Sequence, residues 1–445
     1  MEGRYKTYPE YKESYQKWIG EIPSHWNIWR AKRVFSAVRE PAKNTDEQLA
    51  ASQKYGVIPQ SLMMELNSAK VMLALKGTES FRHVEQDNFV ISLRSFEGGI
   101  EHSAYEGCVS PAYTVLKASK FIYSHYFKYL LKCEPFIAAL QSSTDSLRDG
   151  KSISYEQFGA ISLPYCNHEE QKVIADFLDH ETTKIDNLIA KQEKLIELLK
   201  EKRQAVISNA VTKGLNPDVP MKDSGVEWLG EVPEHWDRSR LGFECSVKAR
   251  LGWKGLKADE YVPEGYIFLA TPNIKGSDID FENVNYITKQ RYDESPEIML
   301  QENDLLVTKD GSTTGTTNLV RSLPEPATVN SSIAVIRSRG NIHPEYLYYF
   351  FVSTYTQNVI KRMQGGMGVP HLFQADLRWF HILLPSNIEQ KSIAKYLDIQ
   401  TAKCDLIIKK ATNAIQLMKE RKTALILAAV TGKIDVRDWQ PKGIQ

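Results

Sequence analysis

The residues best suited to chemistry come as two copies of one triplet. Glu170-Gln171-Lys172, with Asp149 upstream, and Glu389-Gln390-Lys391, with Asp376 upstream, carry the residue types with which a metal-dependent nuclease holds its cation. That chemistry needs a strand that aims carboxylate and lysine at one metal. Here each triplet opens a helical pattern, where the helix dipole favours a glutamate. Methyl transfer to an amine would need a glycine-rich cofactor loop and an Asn/Asp-Pro-Pro-aromatic turn, and the chain has no Pro-Pro dipeptide. Asn216-Pro217-Asp218 reads as linker, Gly365-Gly366-Met367-Gly368 is a poor dinucleotide loop, and Gly311-Ser312-Thr313-Thr314-Gly315 lacks the lysine of a phosphate-binding loop. His25 and His235 each precede a tryptophan just after a proline, a packing context. No catalytic residue and no metal-ligand set can be assigned from spacing.

The elements that hold these triplets are duplicated. Trp18-Ile19-Gly20-Glu21-Ile22-Pro23-Ser24-His25-Trp26 returns as Trp228-Leu229-Gly230-Glu231-Val232-Pro233-Glu234-His235-Trp236, an offset of 228 − 18 = 210. Gln171-Lys172-Val173-Ile174-Ala175-Asp176-Phe177-Leu178-Asp179 recurs as Gln390-Lys391-Ser392-Ile393-Ala394-Lys395-Tyr396-Leu397-Asp398, an offset of 390 − 171 = 219. Fainter echoes lie between them: Asn88-Phe89-Val90-Ile91-Ser92 against Asp304-Leu305-Leu306-Val307-Thr308, and Val115-Leu116-Lys117 against Val335-Ile336-Arg337. A period this long means a duplicated module. Variable segments between constant ones imply two recognition heads on one frame.

A chain of 445 residues with 42% hydrophobic residues has room for two or three domains with their own cores. It contains no apolar run of the roughly 20 residues that span a bilayer, and Met1-Glu2-Gly3-Arg4-Tyr5-Lys6 has no signal-peptide core, so a cytoplasmic protein without membrane contact is expected. Cys108, Cys133, Cys166, Cys245 and Cys404 stand alone, without CxxC spacing, as reduced filler. A net charge of +1 excludes a simple phosphate-coating protein, so any nucleic-acid surface is local.

After Pro164 and Pro385 the pattern turns helical. Ile174, Phe177 and Leu178 mark a short helix. Ile185, Leu188, Ile189, Leu195, Ile196, Leu199 and Val206 then give a heptad-like stripe, matched by Cys404, Ile407, Ile408, Ala411, Ile415, Met418, Leu425 and Ala429. Thr182 or Thr183 is the expected N-cap and Gly214 and Gly432 the stops. Thirty residues give a rod of roughly 45 Å, and two such stripes bury each other as an antiparallel coiled coil. Ile185, Leu188, Leu195, Leu199, Ile407, Ala411, Ile415 and Met418 are its seam and partner-docking candidates. The expected fold is α+β, with two mixed α/β domains in pseudo-two-fold arrangement, separated by the helix pair.

Base readout and phosphate contact need Arg, Lys, Asn, Gln and small hydroxyls on loops. The candidates are Arg148, Lys151 and Ser152 in the first head, and Lys254, Lys257, Lys309, Ser312, Thr313, Arg362, Gln364 and His371 in the second. Any one of them also fits an ordinary solvated loop.

With the paired W-[IL]-G-E-[IV]-P-x-H-W boxes, and with Leu163-Pro164 and Leu384-Pro385 each leading into Glu-Gln-Lys-x-Ile-Ala-x-x-Leu-Asp and a long helix, the chain resembles the specificity subunits of type I restriction-modification enzymes. Asn303-Asp304-Leu305-Leu306-Val307-Thr308-Lys309-Asp310-Gly311-Ser312 looks like a strand and turn of that family's target-recognition domains. The resemblance covers nearly the whole chain. It departs modestly at Tyr165-Cys166-Asn167-His168, longer than Ser386-Asn387-Ile388. It implies target-recognition domains over 1–165 and 215–385 and conserved helical regions over 166–214 and 386–445. Each head would read half of an interrupted site on double-stranded DNA. The helices would dock two methyltransferase subunits that carry S-adenosylmethionine, and motor-nuclease (restriction) subunits would use ATP and Mg²⁺. This chain would be non-catalytic and bind none of these cofactors. The rival reading is a coiled-coil scaffold whose heads bind proteins rather than DNA.

Overall fold

The structure is a computed structural model that describes residues 5–67, 80–143, 153–226, 229–250, 256–363 and 371–441. The chain divides into two compact units, residues 1–192 with 413–445, and residues 193–412.

In the first unit, strands β1 (Tyr11–Glu13) and β2 (Glu21–Pro23) form a ribbon from the first box, followed by β3 (Asn27–Arg30) and β4 (Phe35–Val38). Next come β5 (Phe89–Ile91), β6 (Glu101–His102), β7 (Thr114–Ala118), helices α1 (Ser124–Leu130) and α2 (Glu134–Ser142), and β8 (Ser162–Tyr165). The central sheet is antiparallel in the order β4-β7-β5-β6, and β8 pairs with β3. Helix α3 (His168–Lys213) follows as one uninterrupted element.

The second unit repeats the plan. Strands β9 (Met221–Asp223) and β10 (Glu231–Pro233) form the second box ribbon, then come β11 (Asp237–Arg240), β12 (Cys245–Lys248), β13 (Leu305–Thr308), β14 (Thr317–Leu319) and β15 (Ile333–Ser338). Helices α4 (Pro344–Val352) and α5 (Thr354–Met363), strand β16 (His381–Leu384) and helix α6 (Asn387–Val430) complete it. Its sheet runs β12-β15-β13-β14. The faint sequence echoes are the same sheet positions: Val90 faces Val115 across one sheet, and Leu306 faces Val335 across the other.

The heads diverge outside this shared sheet. The first adds two short ribbons, Leu49–Ser52 with Gly56–Pro59 and Arg82–Val84 with Gly107–Val109. The second adds a three-stranded sheet of Tyr266–Leu269, Asn285–Ile287 and Ala327–Val329 with a core of its own around Leu269, Ile298 and Val320.

Both long helices differ from the sequence expectation in one respect. Thr182 and Thr183 do not cap a second helix: Thr182 is buried and donates its hydroxyl to the Leu178 carbonyl at 2.6 Å, one turn back, so the helix runs through. Helix α3 therefore spans 46 residues, roughly 69 Å rather than 45 Å. Its stop is as expected, with Gly214 at φ +76°, and Gly432 after α6 at φ +73°.

Burial along the helices follows an unbroken 3-4 stride. On α3 the covered positions are Ile185, Ile189, Gln192, Ile196, Leu199, Arg203 and Val206; on α6 the stride is Cys404, Ile408, Ala411, Ile415, Met418, Lys422 and Leu425, with Ala414 half-buried beside it. In each unit the box tryptophan meets the start of one long helix and the end of the other, so within each unit the two helices run antiparallel. In the first unit Lys422 Nζ meets Asp186 at 2.6 Å, and in the second Arg203 Nε meets Asp405 at 3.0 Å.

One equivalent position in the two sheets also shows how the heads can differ. Arg337 on β15 grips the fully buried Asp304 carboxylate with two nitrogens, at 2.6 and 2.7 Å. The equivalent Lys117 pairs instead with half-exposed Glu85. Arg337→Ala should therefore cost about 3 kcal/mol or more, because it strands a buried charge, whereas Lys117→Ala should cost less than about 1 kcal/mol. Urea unfolding of both variants checks this, and equal losses would refute it.

Candidate nucleic-acid interface and its helical frame

The glutamates that resembled nuclease ligands have a different role. Glu170, 4% exposed at the start of α3, accepts hydrogen bonds from Trp26 Nε1 at 3.0 Å, from Tyr8 OH at 2.8 Å, and pairs with His25 Nε2 at 2.9 Å. Glu389 at the start of α6 accepts from Trp236 Nε1 at 3.0 Å and pairs with His235 Nε2 at 3.1 Å. A buried indole N–H needs an acceptor, and a carboxylate so engaged is no free metal ligand. The sequence carried the signal: box and triplet recur together.

The next residue ties the helix start to the head. The Gln171 side chain accepts from the Tyr123 backbone N–H at 2.8 Å and donates to the Cys166 carbonyl at 2.8 Å. Gln390 accepts from the His343 N–H at 2.7 Å and donates to the Pro385 carbonyl at 2.9 Å. About two turns further, Tyr129 donates to Asp179 at 2.6 Å and Tyr349 to Asp398 at 2.6 Å.

Each unit also holds the end of the other long helix. In the first, Leu425, Ala429 and Val430 of α6 enter the core with Trp26, and Tyr126 donates to the Val430 carbonyl at 2.9 Å. In the second, Ile207, Ala210 and Val211 of α3 join Trp236, and Tyr346 donates to the Val211 carbonyl at 3.3 Å.

On this frame the second head carries a polar turn. Gly311 and Gly315, at φ +88° and +92°, bracket Ser312 and Thr313, and the Gly315 N–H returns to the Thr308 carbonyl at 2.8 Å. Gln357 Nε2 of α5 donates to the Gly315 carbonyl at 3.1 Å. Ser312 and Thr313 are exposed and line a cleft with Arg203, Gln204, Tyr348 and Gln357. Lys257 and Arg362 are exposed. Lys309, expected as a free loop charge, is 8% exposed at the end of β13, and burial lowers its pKa. His371 bridges to Asp310 through both side chain and backbone. The structure thus brings Lys309, Ser312, Thr313 and His371 to one turn, with Lys257 and Arg362 on separate elements. Arg148, Lys151, Ser152, Lys254 and Gln364 lie outside the described residues.

The helix candidates divide by exposure. Ile185 and Ala411 are buried, Leu199, Ile415 and Met418 are half-buried, and Leu188, Leu195 and Ile407 are 40–50% exposed. Leu198, Leu406 and Leu417, not singled out from the sequence, are exposed as well. A heptad stripe read from apolar spacing cannot tell the side that meets the neighbouring helix from the side next to it. Another sequence omission is an aromatic surface on the second head, where the Arg240 guanidinium lies 4.3 Å from the ring centre of exposed Trp379, in a head that also exposes Phe243 and Phe373.

Residues 234–417 match the family model of the type I restriction modification DNA specificity domain. The chain is 23% identical to the type I restriction enzyme MjaVIII specificity subunit of Methanocaldococcus jannaschii, over 96% of this chain and 97% of that one. It is 23% identical to the EcoKI specificity subunit of Escherichia coli K12, over 95% and 91%. In fold it is similar to a chain from a structure of type I R-M complex assembly and conformational transition, with a TM-score of 0.72 at 14% identity, covering 92% of this chain and 98% of that one. The HsdS subunit from Thermoanaerobacter tengcongensis aligns with a TM-score of 0.57 at 14% identity, over 95% and 100%. No described helix is long and apolar enough to cross a membrane.

The two glutamate sites are unequal. Glu170 has three side-chain partners and a side chain 3% exposed, whereas Glu389 has two and is 27% exposed. Glu170→Ala should lower unfolding free energy by about 3–5 kcal/mol and Glu389→Ala by about 1–3 kcal/mol. A chemical-denaturation series gives the order, and a larger loss at Glu389 would overturn this account of the joint.

Proposed function

We propose that this chain, a member of the type I restriction-modification specificity-subunit family, selects an interrupted DNA sequence for the enzyme complex. The carrying observation is that two heads keep one sheet, one tryptophan–glutamate joint and one tyrosine–aspartate contact while their added sheets and loops differ. Constant joints hold position, and variable loops give each half of a site its own reader. The target-recognition domains are 1–165 and 215–385, and the helical regions are 166–214 and 386–445.

In the second head, Ser312, Thr313, Lys257 and Arg362 are the exposed side chains among the described candidates, suited to phosphate and base-edge contact. Lys309 and His371 set the base of the turn. The first head would read through Arg148, Lys151 and Ser152, and Lys254 and Gln364 belong to the second. Exposed Leu188, Leu195, Leu198, Leu406, Ile407 and Leu417 supply apolar area for two methyltransferase subunits, with the motor-nuclease subunits joining that complex. S-adenosylmethionine, ATP and Mg²⁺ belong to those partners. The reaction is theirs, in the cytoplasm, and this chain contributes the choice of site.

Single-molecule sequencing of DNA from a host expressing this chain with its methyltransferase subunit tests the reading. N6-methyladenine at one bipartite motif is expected, and exchange of residues 215–385 for those of a related chain should alter one half of the motif only. A methylome unchanged by deleting this gene, with the methyltransferase shown to be active, would favour the scaffold. In vitro, Arg362→Ala should reduce the salt slope of DNA binding by about one unit if it touches phosphate, measured by anisotropy from 50 to 200 mM salt.

A further inference from the structure

We propose that Asp87, His102 and His125 form a binding site for a first-row transition-metal dication of the zinc class at the joint between the first head and helix α3. This goes beyond site selection and does not depend on it. One ligand atom from each residue lies within 4.8 Å of the others. His102 Nε2 stands 2.8 Å from Asp87 Oδ1, and the two imidazole rings lie edge to face at 5.5 Å. Donors around a tetrahedral zinc are about 3.3 Å apart, given bonds of roughly 2.0–2.1 Å, so modest side-chain rotation closes the set.

The donor chemistry fits. Two imidazoles and one carboxylate suit zinc, and leave a fourth position open. Outer partners are in place as well. Ser124 Oγ donates to Asp87 Oδ1 at 2.7 Å, and Asp179 of α3 stands 3.5 Å from His125 Nδ1, the carboxylate–histidine arrangement that orients metal-bound imidazoles. The other clusters around His83 are weaker, because their Glu85 and Glu106 are already held by Lys117 at 2.8 Å and Lys43 at 3.0 Å.

The second head is an internal control. Asp87 and Asn303 occupy the same turn, at φ +69° and +72°. His102 faces Phe89 across β5–β6 where Leu319 faces Leu305 across β13–β14, and His125 is the second residue of α1 where Glu345 is the second of α4. The same scaffold therefore forms with Asn, Leu and Glu, so the triad answers no demand of the fold. A bound ion would tie the edge of the first head's sheet to α1 and, through Asp179, to α3.

The test uses the full chain, stripped with chelator and titrated with Co²⁺ and then Zn²⁺. One equivalent of Co²⁺ should bind with visible d–d absorption, Zn²⁺ should displace it, and Zn²⁺ should raise the Tm. Asp87→Asn, which installs the residue of the other head, and His125→Gln, at a half-exposed position, should each weaken binding at least about a hundredfold. Asp179→Asn should weaken it about tenfold, and His343→Gln should leave it unchanged. Circular dichroism of the chelated proteins reports folding. X-ray absorption of the Zn²⁺-loaded wild type, expected to show two imidazoles and oxygen, decides the matter independently of any variant. Absence of stoichiometric binding, binding unchanged in the Asp87→Asn/His125→Gln double variant, or a ligand shell without imidazole would overturn the proposal.

Discussion

A buried indole N–H must find an acceptor, and in both heads that acceptor is a glutamate in the first turn of a long helix. The pairs Trp26–Glu170 and Trp236–Glu389 fix where each helix leaves its head. The neighbouring glutamine then satisfies a backbone N–H of the head and a carbonyl just before the helix, so the start of the helix has no freedom to slide. Since the dipole also favours a carboxylate there, one residue type serves both needs. Trp26 and Trp236 also pack on the ends of α6 and α3, with Gly432 and Gly214 allowing the close approach. Each box thus sits where one helix begins and the other ends.

The seam between the helices is built for register more than for adhesion. Its stride passes through Gln192, Arg203 and Lys422 as well as apolar residues, and Arg203 and Lys422 each take an aspartate from the facing helix. Exposed pairs of this kind contribute at most about 1 kcal/mol, but a shift of one turn within either unit would separate the pair there. Polar seam positions commonly set register at some cost in stability. The leucines left beside the seam stay exposed, so the helix pair makes no use of them.

Much of this was legible in the sequence because duplication supplies an internal comparison. Asn88–Ser92 and Asp304–Thr308 share little identity, yet their matched spacing to Val115 and Val335 placed them in equivalent sheets. What was misread depended on contacts between distant residues. Thr182 has the chemistry of a cap, but a hydroxyl can equally bond one turn back, and its buried place beside Tyr129 decides for the latter. Lys309 lies in a run that reads as polar loop, yet it directly follows a fully buried strand and is covered. Asp87, His102 and His125 converge only because a strand edge and a helix start are brought together, which no local spacing records.

The same comparison separates what the frame requires from what it permits. Positions that carry the joints, Trp26 and Trp236, Tyr129 and Tyr349, Asp179 and Asp398, keep both residue type and partner. Sheet positions that make none of these contacts differ: an arginine–aspartate grip stands in one sheet and a lysine–glutamate pair in the other. Neither pair shares a partner with the joint, so each head keeps its joint while its sheet differs. A module whose joints are satisfied locally can therefore exchange its loops, and with them its ligand, at little risk to the helices that carry it.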